Sequence, residues 1–159
     1  HTMNVFGERQ HPEKYIPLCI KKARDSELVT VHSDTSKTKA GSRHYIHASD
    51  VADAMWFLLN YDSSKLKTDD FGGAKCHKFN IVGSTEMDNL ELANFIAEVQ
   101  GAELRYSMVD FHSQRPGHDL RYALDGSKMK EMGWEPQAVK DRLKQTVEWT
   151  LENDRWLKT

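Results

Sequence analysis

No window of this chain approaches the ~20 consecutive apolar residues of a membrane span, so no membrane partner is expected. Neither sign of charge dominates: 22 Lys and Arg face 24 Asp and Glu, for a net charge of -2. That excludes the basic footprint of a nucleic-acid binder. Cysteine is scarce, with only Cys19 and Cys76, far apart and in no Cys-x-x-Cys pair. Two isolated thiols predict a reducing, cytoplasmic setting. Neither Gly-x-Gly-x-x-Gly nor Gly-x-x-Gly-x-x-Gly occurs, so the turn that cradles a dinucleotide pyrophosphate is missing. There is no Gly-x-Ser-x-Gly elbow, no His-Glu-x-x-His and no recognised zinc spacing among the eight histidines. The start, His1-Thr2-Met3-Asn4, has no basic segment leading into an apolar one, so no signal peptide is expected.

What is present suits one compact domain over 1–159: 38% apolar and 29% charged residues in 159, enough to close a sizeable core. After Pro12, Tyr15, Ile16, Cys19, Ile20 and Ala23 form a helical stripe. Pro17 lies inside it and predicts a broken first turn, with the regular helix starting there. Leu28 to His32 and Arg43 to His47 read as strands, separated by a polar loop over 33–42. Ser49 or Asp50 is placed to cap a helix over 51–59 whose buried face is Val51, Ala52, Ala54, Met55, Leu58 and Leu59. A second mobile loop is expected near 62–75. Lys78 to Val82 is a strand, 90–99 a helix, and 104–109 another strand. Residues 111–122 have no periodicity, and Asp125 or Ser127 caps a short helix through Met132. Val139, Leu143, Val147 and Leu151 mark a last amphipathic helix, with Trp149 and Trp156 anchoring its end. The fold class is mixed α/β, a small sheet with flanking helices, and its strands are too few for a complete doubly wound sheet.

The densest polar stretch is Arg115-Pro116-Gly117-His118-Asp119-Leu120-Arg121-Tyr122. Pro-Gly makes a tight turn, and it gathers two Arg forks and a His that match phosphate oxygens. A diphosphate pocket and a surface turn stapled by an Arg–Asp pair both fit that spacing. Arg43 opens a strand after the polar loop, which suits either a site at the strand edge or a solvated side chain. Asn4, Glu13 and Lys14 lie near a Gly7 turn and a helix start, where free N–H groups favour an anion or an ordinary cap.

Four segments together resemble the C-terminal part of extended short-chain dehydrogenases that act on sugar nucleotides, and within them the dTDP-glucose 4,6-dehydratase group. Asn4-Val5-Phe6-Gly7 with Pro12-Glu13-Lys14-Tyr15-Ile16-Pro17 resembles Asn-x-Tyr-Gly…Pro-Glu-Lys-Leu-Ile-Pro. Arg43 to His47 with Asp50-Val51-Ala52, and Phe79 to Gly83, resemble two further family motifs. Arg115 to Leu124 with Ser127-Lys128 and Gly133-Trp134-Glu135-Pro136 is the specific run. The resemblance implies a substrate-binding portion of an extended Rossmann-type dehydratase whose dinucleotide core is missing here. It implies that Asn4 contacts the diphosphate, that Glu13, Lys14 and Tyr15 line the sugar and diphosphate, and that Arg43 binds a phosphate. Arg115 and His118 would hold the ribose and diphosphate, and His32, in Thr30-Val31-His32, would stand where the family has Pro-Val-Tyr along the base. The expected ligand is a dTDP- or UDP-hexose and the expected partner is an N-terminal Rossmann half. That half would carry NAD and the Tyr-x-x-x-Lys pair; none is expected tightly bound to this chain. No catalytic residue and no metal ligand is assigned. Three departures are visible: Ser33-Asp34-Thr35 and a longer loop replace the family's Gly-Asp-Gly turn, His32 replaces an aromatic stacking partner, and Thr85 stands where an Asn is expected.

Overall fold

In the computed structural model, residues 1–66, 77–111 and 119–158 are described. The order is β1 (Val5–Phe6), α1 (Tyr15–Arg24), β2 (Val29–Ser33), β3 (Ser42–His44), β4 (Ile46–His47) and α2 (Ala48–Asn60). Then come β5 (Glu86–Asp88), α3 (Asn89–Val99), β6 (Tyr106–Asp110), β7 (Arg121–Tyr122), α4 (Ser127–Glu131) and α5 (Val139–Glu152). The mixed α/β class holds, with three small sheets in place of one. β1 pairs with β4 and β2 with β6, both parallel, while β3 sits between antiparallel β5 and parallel β7.

The main core lies where α1, α3 and α5 meet the inner face of β2. Strand alternation sends Val29 and Val31 inward, and Ile20, Leu92, Ile96, Leu143 and Val147 pack with them. A second core joins Ile46, Ala54, Ile81, Met129 and Trp134. The two are tied by a buried ion pair: Arg142 on α5 donates to Asp50 in the first turn of α2, with Nη2–Oδ1 at 2.8 Å.

Several expectations need correction. Pro17 does not break α1, which starts at Tyr15; Pro17 falls in the first turn, where a missing N–H costs no intrahelical bond. Arg43 to His47 is not one strand: the chain leaves one sheet after His44 and joins another at Ile46, with Tyr45 as the joint. Lys78 to Val82 forms no strand; a single parallel bridge links Ile81 to Thr2. The cap of α2 is neither Ser49 nor Asp50: the His47 imidazole accepts from the Ser49 N–H. On that helix only Ala54 of the expected face is fully buried, while Met55, Trp56 and Leu59 are 57%, 68% and 78% exposed. The anchor after α5 is Leu157, and Trp156 stays exposed. Short β1, β5 and β7 carry no apolar alternation and were invisible to pattern reading. Within 33–42, Asp34 accepts from the Thr38 and Lys39 N–H groups, both at 3.0 Å, closing a tight turn. Residues 67–75 of the second expected loop lie outside the described residues.

β5, β3 and β7 are also joined through side chains. Glu86 receives the Arg121 fork, at 2.8 Å from both Nε and Nη2, and the Ser42 hydroxyl at 2.5 Å. The Arg121 guanidinium and then the Ser42 hydroxyl draw the Glu86 carboxyl down to about 2. A carboxylate lowered by folding stabilises the fold above its ordinary range, and the gain is lost as pH falls toward the folded value. Arg121 is 66% exposed, so solvent screening keeps the gain small. Urea titrations of wild type and Glu86→Gln should therefore show a gap that narrows between pH 4.5 and about 2; a gap independent of pH would contradict this assignment.

Candidate functional site

Three local features build one cleft of about 990 Å³. The first is the loop from Asn4 to Lys14. Asn4 adopts a left-handed φ of 49°, a conformation Asn tolerates better than most residues. The Gln10 side chain donates to the Val5 carbonyl at 3.0 Å and braces the loop. The Asn4 amide nitrogen is buried, and within the described residues it has no hydrogen-bond acceptor. An unmet buried donor is costly, so the site is suited to an incoming acceptor.

The second feature is the start of α1. Lys14 occupies its cap position without a side-chain hydrogen bond, and the first turn holds no acid. Its backbone N–H groups and positive dipole end thus open on the cleft that Glu13, Lys14 and Tyr15 line. By contrast, Asp88 already caps α3 and His47 caps α2. Tyr15 turns inward: its hydroxyl donates to the Asn89 carbonyl at 2.9 Å, while Tyr45 donates to the Asn89 side chain at 2.6 Å. Burial, with the Cys19 thiol beside it, pushes the Tyr15 hydroxyl far above its ordinary range. Burial likewise raises Cys19 to about 12. Neither group is poised to move a proton at neutral pH.

The third feature is Arg43. Gly41 is squeezed between strands: its N–H donates to the His32 carbonyl at 3.0 Å, and its carbonyl accepts from Asn89 at 2.8 Å. A Cβ there would meet the Leu120 carbonyl at 3.1 Å. This close approach sets β3 beside residues 119–122. The Arg43 fork then donates to the carbonyls of Ser42, Leu120 and Asp119 at 2.6, 2.8 and 2.9 Å.

The cleft therefore gathers Asn4, Glu13, Lys14, Tyr15, His32 and Arg43, six of the residues singled out from sequence. Arg115 and His118 lie outside the described residues. Asp119 and Tyr122, from the polar stretch singled out in the sequence, also line it, as do Gln10, Tyr45, Asn89 and Phe111, which sequence reading missed. For Tyr45 the signal was present, since it stands within the Arg43–His47 motif; Asn89 and Phe111 carried none. A second cleft of about 320 Å³, lined by His44, Asn80, Asp125, Lys130 and Trp134 among others, contains none of these candidates. No group of three potential metal ligands is found among the described residues. No described helix is long and apolar enough to cross a membrane.

Residues 2–147 match the model of the GDP-mannose 4,6 dehydratase family. The chain is 35% identical over 154 residues to the low-salt glycan biosynthesis protein Agl12 of Haloferax volcanii, covering 96% of this chain and 44% of that protein. It is 36% identical over 155 residues to a dTDP-glucose 4,6-dehydratase of Streptomyces niveus, covering 96% and 41%. A crystal structure of the dTDP-glucose 4,6-dehydratase DesIV from Streptomyces venezuelae, with NAD bound, superposes with a TM-score of 0.73 at 31% identity, over 99% of this chain and 44% of that one. The chain thus spans less than half the length of these relatives.

Proposed function

The chain belongs to the GDP-mannose 4,6 dehydratase family, and on that footing we propose that it is the nucleotide-sugar-binding portion of an NAD-dependent 4,6-dehydratase acting on a dTDP- or UDP-hexose. The observation that carries this is the convergence of Asn4, the uncapped start of α1 and Arg43 on one cleft. A diphosphate needs a donor-rich, positive setting, and a helix N-terminus beside an Arg fork supplies one. In this reading Asn4 donates to the diphosphate and the Glu13–Tyr15 backbone cradles it. Arg43 holds a phosphate, Arg115 and His118 close over ribose and diphosphate, and His32 lies along the base.

NAD does not fit this chain's own residues. No glycine-rich strand-to-helix turn occurs in the sequence to receive its pyrophosphate. The one Tyr-x-x-x-Lys spacing in the sequence, Tyr61 to Lys65, falls at the end of α2 and in the turn after it, not after a core strand, and we read it as chance. We therefore assign the cofactor and the chemistry to an N-terminal Rossmann half. Two features support such a partner. Met55, Trp56 and Leu59 leave an apolar face on α2, and monomeric surfaces rarely expose such a cluster without a use. The Thr2–Ile81 bridge and the two-residue β1–β4 pair are parallel, a pairing found almost only in covered sheets. The whole enzyme would oxidise C4 of the hexose, eliminate water across C5–C6 and return hydride to C6. The cytoplasm is the compartment we assign.

The test is to assay the full-length protein with dTDP-glucose and UDP-glucose. The expected product is the 4-keto-6-deoxy sugar nucleotide; a C4 epimer alone, or a decarboxylated pentose, would move the protein to the epimerase and decarboxylase class. Arg43→Ala should weaken nucleotide-sugar binding by about 1.5–3 kcal/mol, the worth of a charge-assisted contact, whereas unchanged KM would remove Arg43 from the site.

A further inference from the structure

Phe111 follows the last residue of β6, and β6 pairs with β2 so that Val109 stands opposite His32 and Asp110 opposite Ser33. This register delivers the Phe111 ring to the side of β2 that faces away from the core. Alternation along β2 sends Val29 and Val31 inward and turns Thr30 and His32 to the cleft, so His32 and Phe111 meet on its wall. Their ring centroids are 5.4 Å apart at 73°, an edge-to-face contact. That separation and angle are ones aromatic pairs prefer, because a ring's positive edge is drawn to its neighbour's negative face. Phe111 is 7% exposed, while His32 remains partly open. The phenyl ring is thus buried by the fold, and the imidazole packs against it. Both border a cleft whose polar residues include Asn4 and Arg43.

We propose that Phe111 is a positioning residue: by packing edge-to-face against the His32 imidazole, it fixes the plane of a ring whose face receives the nucleobase of the bound nucleotide. A planar ring suits such a face because stacking uses faces and tolerates small changes at ring edges. A bare diphosphate has no ring and gains nothing from it. The inference rests on the nucleotide-sugar reading above, which lays His32 along the base, and adds the residue that sets the His32 ring.

The experiment compares dTDP, UDP and inorganic pyrophosphate in calorimetric titrations of the full-length protein. The variants are Phe111→Leu, which keeps apolar bulk but loses the ring, His32→Ala, and the double variant. Phe111→Leu should weaken dTDP and UDP roughly 5–150-fold, the range found for one stacked base, and leave pyrophosphate unchanged. Because Phe111 acts through His32, the double variant should be no weaker than His32→Ala alone. Unaltered dTDP affinity in Phe111→Leu overturns the proposal, as does an equal loss for dTDP and pyrophosphate, which would mark a general packing defect. Additive losses in the double variant would overturn the positioning role. If the wild type binds neither dTDP nor pyrophosphate, the nucleotide-sugar reading falls first and takes this one with it.

Discussion

Arg142→Ala should destabilise the fold by about 3–5 kcal/mol, the range for breaking a buried ion pair from one side. The Asp50 side chain is 5% exposed and that of Arg142 17%, so little water reaches either. The Arg142 fork approaches Asp50 with Nε and Nη2, at 3.2 and 2.8 Å from Oδ1. Removing it leaves a carboxylate buried in the first turn of α2 with its charge uncompensated. Urea unfolding of the single variant should show the full loss. The double replacement Asp50→Leu with Arg142→Leu should recover most of it, since an apolar pair of similar bulk has no charge to desolvate. If the double variant is as unstable as the single one, the tie between the two cores is not electrostatic in origin.

Gly83→Ala is expected to cost about 4 kcal/mol or more, which places it among the rare substitutions that threaten folding itself. A Cβ at Gly83 would lie 1.9 Å from the Tyr45 carbonyl oxygen and 2.7 Å from its carbon. Both obstacles are backbone, so no rotamer change relieves them. Tyr45 is also the joint at which the chain passes from β3 to β4, and moving it disturbs Arg43 on one side and the α2 cap on the other. Gly126→Ala provides the comparison: its Cβ would meet only the Val82 side chain, at 3.2 Å, and a cost of about 1 kcal/mol is expected there. Thermal melts of the two variants should separate widely, and similar midpoints would refute the steric argument.

Helices announced themselves in the sequence wherever their apolar stripe met this chain's own core. The stripe of α5, Val139, Leu143 and Val147, is buried as its spacing predicts, and so are Ile16, Cys19, Ile20 and Ala23 of α1. The stripe of α2 misled because amphipathic spacing says that a face wants cover, not which surface supplies it. Met55 and Leu59 are exposed here. Strands of two or three residues carry too few alternations to be legible, and Arg121–Tyr122 became a strand only through its pairing with β3. The cleft was partly legible. Asn4, Glu13, Lys14, Tyr15, His32 and Arg43 stood in motifs, while Asn89 and Phe111 enter it through tertiary register alone.

The pairing of β2 with β6 has a consequence for synthesis. Val29 finds its partner only when Tyr106 has been made, and Arg43 only when Leu120 has. A ribosome adding about 5–20 residues per second leaves Val29 and Val31 without a partner strand for several seconds. During that interval α1 can form from local contacts, but the wall of the cleft that β2 makes with β6 does not exist. The nascent chain must therefore hold an apolar strand in waiting, and its capacity to bind a ligand arrives late and all at once, when the residues near 120 emerge.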